Sequence, residues 1–195
     1  MRSTGRFASS GWMRLVAVGL LAGVFAAGCG SSTCSTCPPT TTQPCDIPAH
    51  AATAAIAIHS GRTSYAVNDT FWVSVVLHNV DATFGASVEV TYPSNLVDVL
   101  RISGCSNGFS QGQNLAVGKI DAASNRVSFG VTRLRGSTPV PAGNTVLFYM
   151  GCRAKGTGSV PFQVVAWNLK LLKSDGSPID SMATLRQENL SVTVH

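Results

Sequence analysis

Short runs of alternating apolar and polar residues fill the chain from about residue 54 to its end. In the stretch FWVSVVLHNV, every second residue from Phe71 to Leu77 is apolar. In the stretch ASVEVTY, apolar side chains alternate with Ser87, Glu89 and Thr91. A period of two with one polar face is typical of an antiparallel strand that packs on a core with one side and meets water with the other.

Nine segments of this kind are predicted as strands, and turn signals such as Asn68-Asp69 and Ser124-Asn125 separate them. Apart from an apolar segment near the N-terminus, no stretch offers ten residues of helical periodicity between glycine or proline breaks. Because nine strands can bury one substantial core between two packed sheets, the sequence predicts an all-β, two-sheet antiparallel β-sandwich. The predicted strands are 54–59, 70–80, 86–92, 97–102, 114–120, 126–134, 144–155, 159–172 with a break near residue 168, and 189–195.

Six stretches between residues 54 and 195 resemble, in their order and spacing, the segments of a cohesin domain. They are YAVNDTFWVSVVLHNV, FGASVEVTYPSNLVDVLRISG, NRVSFGVTRLRG, AGNTVLFYMGCRAKGTGSVPFQV, LKSDGSPID and LSVTVH. The resemblance implies a nine-stranded jelly roll of the carbohydrate-binding superfamily with a binding or scaffolding role. Two departures matter: Tyr92-Pro93 lacks the family's intervening Asp, and Gly85 and Ser87 stand where dockerin-binding cohesins carry Asn and Asp. The resemblance therefore implies the fold more strongly than dockerin recognition.

The N-terminus has the pattern of an export signal. Three arginines precede an uncharged apolar run of 13 residues, Leu15–Ala27, which is shorter than the roughly 20 residues that a spanning helix needs. The run ends in Ala-Ala-Gly-Cys, which resembles a bacterial lipobox with Ala26 in place of the usual Leu. We therefore expect residues 1–28 to be a lipoprotein signal peptide and Cys29 to be lipidated, with signal cleavage near Ala27 as the alternative.

Residues 29–53 are rich in Ser, Thr, Pro and Cys, a composition that predicts a disordered tether. Such a tether would hold the domain of residues 54–195 away from a membrane, facing the periplasm or the cell exterior. Cys34, Cys37 and Cys45 could form local disulfides, and a zinc site that includes His50 is a less favoured alternative. Outside the cytoplasm thiols tend to be oxidised, and the remaining pair, Cys105 and Cys152, is predicted as a disulfide.

One motif points to catalysis. Gly104-Cys105-Ser106-Asn107-Gly108 matches G-x-S-x-G, the pattern of a nucleophile elbow in serine hydrolases. That elbow requires a strand, a sharp turn and a helix in a parallel α/β sheet, and the residues that follow the motif predict no helix. We interpret the segment as a glycine-rich turn, with a hydrolase built on Ser106 as the remaining alternative.

Charge and composition exclude further classes of function. The net charge of +5 includes three arginines in residues 1–28, so the mature chain carries only +2 and a basic surface for nucleic acid is not supported. Paired carboxylates and acidic clusters are missing, and we expect no catalytic residue, cofactor or metal. The predicted function is a non-catalytic, membrane-anchored binding module that recognises a dockerin-like or other surface protein through Ser87, Glu89 and Thr91. The alternative is a carbohydrate-binding module of the same fold, taking part in polysaccharide degradation.

Overall fold

The computed structural model describes residues 45–106, 108–110 and 112–195. Within these ranges the chain forms twelve β-strands and three short 3-10 helices, and it has no α-helix. None of the helices in the described ranges has the length and apolar character needed to cross a lipid bilayer. The predictions for the signal segment, for lipidation of Cys29 and for Cys34 and Cys37 lie outside the described residues.

All nine predicted strands are present, with 159–172 divided into β9 and β10, and two further strands, β2 and β11, are only two or three residues long. Such short strands have no alternation that a sequence could display. The predicted break near residue 168 is confirmed as a 3-10 turn, Ala166–Asn168. The strands are β1 (Ala55–Ser60), β2 (Ser64–Tyr65), β3 (Thr70–Val80), β4 (Gly85–Thr91), β5 (Val97–Ser103), β6 (Asn114–Asp121), β7 (Arg126–Arg133), β8 (Gly143–Ala154), β9 (Gly158–Val164), β10 (Lys170–Leu172), β11 (Arg186–Glu188) and β12 (Leu190–Val194).

The strands form two sheets that pack face to face. The order in the first sheet is β11-β1-β3-β8-β5, and the order in the second is β2-β12-β9-β4-β7-β6, with β10 also paired to β4. The predicted two-sheet β-sandwich is confirmed. Most neighbouring strands are antiparallel as predicted, and the two exceptions are β11, which runs parallel to β1, and β2, which runs parallel to β12. Both sheets are therefore mixed.

The core lies between the two sheets and is built from the alternating residues that the sequence displays. Every second residue from Phe71 to Leu77 is at most 4% exposed, and their partners across the core come from β4, β7 and β9. Phe129 of β7 stacks on Phe148 of β8 with ring centroids 4.6 Å apart, which joins the two sheets directly. This dense apolar layer fixes which side of each strand faces outward.

The last part of the predicted tether is attached to the sandwich. Residues 45–53, called the strap below, run across the outer side of the first sheet. Cys45 forms a disulfide with Cys105, which follows β5. Asn79 Nδ2 donates hydrogen bonds to the carbonyl oxygens of Ala51 and Thr53, at 2.8 and 3.3 Å. The prediction of a disordered tether is therefore wrong for residues 45–53.

The predicted Cys105–Cys152 disulfide is also wrong, because the two side chains lie on opposite sides of the first sheet. Cys152 belongs to β8, points into the core and is 1% exposed with a free thiol. Cys105 packs with Val76 and Val146 in a small apolar cluster on the outer side, where Cys45 covers it. Burial raises the pKa of the Cys152 thiol well above its ordinary value, so this thiol is both hidden and protonated.

Candidate protein-binding surface

The outer face of the second sheet, called the outer face below, is formed by β6, β7, β4 and β10. The pairing of β6 with β7 and of β7 with β4 aligns residues from three strands into straight rows across the sheet. One row contains Val117, Gly130 and Ser87, and Lys170 of β10 extends it. Neighbouring rows place Leu115 beside Thr132 and Gly85, and Lys119 beside Ser128 and Glu89.

Two large aliphatic side chains are exposed on this face. Leu115 is 58% exposed and Val117 is 63% exposed, both on the edge strand β6. Gly130, the cross-strand neighbour of Val117, has no side chain, and a Cβ at that position would meet no atom within 4 Å. The result is a shallow trough between Val117 and Ser87. Exposed apolar groups beside an empty trough are suited to receive a side chain of another protein.

An aromatic side chain stands at the end of the same face. Trp167, in the 3-10 turn between β9 and β10, is 71% exposed. The Arg126 guanidinium lies over its ring at 5.7 Å from the centroid and also donates to Glu89 Oε1 at 2.6 Å. Asn168 Nδ2 donates to Glu89 Oε2 at 2.6 Å. Glu89 therefore anchors the turn that carries Trp167 onto the sheet.

Charged groups surround the exposed apolar residues. The Lys119 side chain is 73% exposed, and its Nζ lies 3.7 Å from Asp121 Oδ2. The backbone N–H of Ser124 donates to Asp121 Oδ1 at 3.1 Å, which holds the pKa of this carboxyl below its ordinary value. Lys170 is exposed beside Ser87. An apolar centre with a charged rim is the usual composition of a protein–protein interface.

The three residues predicted as a binding set do lie on this face, but they differ in exposure. Ser87 is exposed, and Thr91 is half-buried and donates to the Gln163 carbonyl at 3.4 Å. The Glu89 side chain is only 13% exposed, and both of its oxygens already have partners within the chain. The low exposure and the hydrogen bonds of Glu89 are explained by a structural role as the anchor of the Trp167 turn. Contact of the three residues with a partner stays a prediction.

Leu115 and Val117 were not predicted as site residues, although a signal was present. In NLAVGKID, Leu115 and Val117 share the outward side with the charged Lys119 and Asp121, and Ala116, Gly118 and Ile120 face the other way. Two large apolar residues thus stand on the side of the strand that carries its charged residues. Exposed apolar side chains grouped in this way are the signal from which these positions could have been found.

The G-x-S-x-G segment forms a turn. Cys105, inside the motif, is tied to Cys45, and a 3-10 turn, Gly108–Ser110, follows instead of the long helix that a nucleophile elbow requires. Ser106 is exposed on this turn. His195, the last residue, pairs with Ser64 at 3.0 Å and not with Ser106. The geometry gives no support to a serine hydrolase.

The zinc alternative fails at Cys45, because a disulfide-bonded sulfur cannot serve as a thiolate ligand. Among the described residues, no group of three or more His, Cys, Asp or Glu side chains is arranged to hold a metal ion.

No family model matches the sequence, and no curated protein matches it. Solved structures do. A non-cellulosomal cohesin from the archaeon Archaeoglobus fulgidus superposes with a TM-score of 0.57 and 18% identity, covering 74% of this chain and 92% of that one. A type II cohesin domain from the cellulosome of Acetivibrio cellulolyticus gives a TM-score of 0.60 with 12% identity, covering 72% and 95%. A type I cohesin–dockerin complex from Clostridium thermocellum gives 0.59 with 14% identity, covering 73% and 99%.

At 11–18% identity the likeness concerns the fold, and it is consistent across the solved structures compared. The jelly-roll topology implied by the sequence resemblance is confirmed by these superpositions. This chain has the fold of a cohesin domain.

Proposed function

We propose that this protein is a non-catalytic binding module that holds a partner protein against the outer face of its second sheet. The observation that carries the proposal is the exposure of Leu115, Val117 and Trp167 around the empty position at Gly130. Full burial of an aliphatic side chain of this size contributes about 1.5–3 kcal/mol. Two such side chains and an aromatic ring are enough to form the energetic centre of a standard interface.

The proposed partner is a protein of the dockerin type. Some of the similar cohesins are in complexes with dockerins, and this chain offers a flat, partly apolar sheet face. Gly85 and Ser87 lack the amide and carboxylate that the family resemblance associates with dockerin recognition. Recognition here would therefore depend on Leu115 and Val117 rather than on polar groups of β4.

The proposed location is the outer side of a bacterial membrane, with the chain anchored by lipid on Cys29. The support is the 13-residue uncharged run followed by Ala-Ala-Gly-Cys. Metabolic labelling with a clickable palmitate should mark the wild-type chain and leave Cys29→Ser unlabelled. Equal labelling of both chains would contradict lipidation at this cysteine.

Site-specific photo-crosslinking tests the proposed surface. A photoreactive amino acid replaces Val117 in the full chain, and a second chain carries it at Leu100. Leu100 is a matched control because it is 52% exposed on β5, the edge strand of the first sheet. We expect one discrete crosslinked protein from position 117 and none from position 100. Crosslinking that is equal at both positions would contradict the proposed surface.

A glycan panel separates the protein partner from the carbohydrate alternative. The single feature that favours a sugar ligand is the exposed Trp167, and the Arg126 guanidinium already lies over one side of its ring. We expect no saturable binding of the full chain to polysaccharides. Saturable binding that is lost in Trp167→Ala but kept in Val117→Arg would favour the carbohydrate alternative.

A further inference from the structure

Three of the four histidines in the chain meet where the strap crosses the first sheet. His50 belongs to the strap, His59 to β1 and His78 to β3. The rings of His50 and His78 stack with centroids 4.2 Å apart and an interplanar angle of 9°. His59 Nε2 lies 3.2 Å from His78 Nε2. His59 and His78 lie on the paired strands β1 and β3, so the part of the cluster that depends on the strap is the stack of His50 on His78.

The contacts of His50 favour its charged form. Its Nε2 lies 2.9 Å from Glu188 Oε2, and its Nδ1 lies 2.8 Å from the Ala51 carbonyl oxygen. Both neighbours are acceptors, so both ring nitrogens must donate, and only the imidazolium carries two protons. The hydrogen bond to Glu188, followed by that to Ala51, raises the pKa of His50 above 6.5.

The contacts of His78 favour its neutral form. His78 is fully buried, and its Nδ1 has no hydrogen-bond partner. One proton shared between His78 Nε2 and His59 Nε2 satisfies both nitrogens, whereas a second proton would set two N–H groups against each other. Burial first, and then the charges of His50 and His59, lower the pKa of His78 to about 4. Burial also lowers the pKa of His59.

We propose that His50, His59 and His78 form an acid-sensitive latch that holds the strap on the first sheet near neutral pH and releases it when acid charges both rings of the His59–His78 pair. The titratable groups that face this pair are His50 from the strap and Glu188 from β11, and the neutral Asn144 faces it from β8. After release, the strap remains attached through the Cys45–Cys105 disulfide at one end and through β1 at the other.

The direction of the pH effect follows from the lowered pKa values of His59 and His78 and the raised pKa of His50. His59 and His78 bind protons less tightly in the closed cluster than a free histidine does, so acid favours the open strap below pH 6.5. His50 acts oppositely, because its raised pKa stabilises the closed strap, and that contribution is already complete below pH 6.5. Between pH 6.5 and 5.0, His78 alone raises the opening constant by up to roughly 15-fold if its pKa returns from about 4 to 6.5 on opening.

Nuclear magnetic resonance of the full chain tests the latch. The backbone amides of residues 46–53, except that of Pro48, report the order of the strap through their chemical shifts and their {1H}-15N Overhauser effects, and the ring nitrogens report protonation. From pH 6.5 to 5.0 we expect the chemical shifts of the strap amides to move towards random-coil values as the rings of His59 and His78 become charged. A strap that stays ordered when both rings are charged would overturn the proposal.

Two variants make the test specific. In the double variant His59→Gln/His78→Gln the order of the strap should not change between pH 6.5 and 5.0, because the titrating pair is gone. His195→Gln, which removes the fourth histidine, should respond as the wild type does. A full pH response in the double variant would also overturn the proposal. If the double variant fails to fold, the ring titration of the wild-type chain decides the question alone.

Discussion

The backbone conformation and packing at Gly108 explain why a glycine occupies the last position of the G-x-S-x-G segment. Its φ is +66°, in the left-handed region that favours glycine, and a Cβ there would overlap Thr145 Oγ1. Thr145 lies in β8 and is 4% exposed, so it cannot move aside easily. The turn thus requires Gly108 for backbone geometry and close packing, whereas the exposed Ser106 has no comparable constraint.

In a catalytic elbow the serine would be the sensitive position. Here we expect Gly108→Ala to be damaging and Ser106→Ala to have little effect. We expect Gly108→Ala to lower the free energy of unfolding by about 3 kcal/mol, because it combines left-handed strain with the overlap at Thr145. Ser106→Ala should change it by less than about 0.5 kcal/mol, as for most surface positions. Urea denaturation of both variants measures this. Ester hydrolysis by the wild type that disappears in Ser106→Ala would restore the hydrolase alternative.

Glu89 provides the second prediction for a single residue. Replacing it with Ala leaves the Arg126 guanidinium and the Asn168 amide without their shared carboxylate. Hydrogen bonds to charged groups contribute about 1.5–3 kcal/mol each at most, so we expect a loss of about 2 kcal/mol. Ser87→Ala, two residues away on the same strand, is the matched control and should cost little. Equal stability of the two variants would show that Glu89 does not anchor the Trp167 turn.

Among the elements, the strap and strand β6 carry the features that bear on function. The strap covers the outer side of the first sheet, and β6 exposes apolar residues on the outer side of the second. The Cys45–Cys105 disulfide closes a separation of 60 residues and links the strap to the end of β5. It is a covalent connection between the predicted tether and the sandwich in addition to the backbone that leads into β1.

Cys45→Ser should therefore destabilise the sandwich. Chain-entropy arguments for a loop of 60 residues give an upper value of about 4 kcal/mol for the disulfide. We expect a clear fall in Tm for Cys45→Ser and for Cys105→Ser, of equal size in both. Cys152→Ser serves as a contrast, because it alters a buried free thiol and no crosslink. Mapping of disulfide-linked peptides without reductant should find Cys45 joined to Cys105. Recovery of a Cys105–Cys152 peptide would contradict the pairing.

The fold could be predicted from the sequence better than the site could, because the two depend on contacts of different range. Alternation is a local property, so strand β3 begins and ends at the predicted residues, Thr70 and Val80. The partner of Cys105 depends instead on which side of a sheet each cysteine faces after folding. The position of the strap likewise depends on contacts such as that of His50 with Glu188, 138 residues away. Long-range pairings of this kind leave no periodic signal in the chain.

For the whole molecule, the two outer sides differ in what lies on them. The strap lies on the first sheet, and the proposed partner surface lies on the second. The core between the two sheets separates the histidine cluster from the outer face, so the acid response and the partner contact can be tested independently.

The stability of the whole molecule should decline in mild acid. The lowered pKa values of His59 and His78 mean that their contribution is present above pH 6.5 and is lost as the pH falls towards about 4. Asp98, whose pKa is lowered by Arg153 and Lys155, adds a further loss only below the ordinary aspartate range. Tm measured from pH 7 to 4 should fall before the carboxylates titrate, and a Tm that is constant down to pH 4.5 would contradict this.

The central claim is that a partner protein binds the outer face of the second sheet, and Gly130→Arg tests it most directly. The new side chain occupies the trough beside Val117, and its Cβ has open space around it. Tm should be unchanged, and the Kd for the partner crosslinked at position 117 should rise at least about tenfold, which corresponds to about 1.4 kcal/mol. Leu100→Arg on the first sheet should leave the Kd unchanged. A Kd that is unaffected by Gly130→Arg, or one that rises with Leu100→Arg instead, would contradict the account.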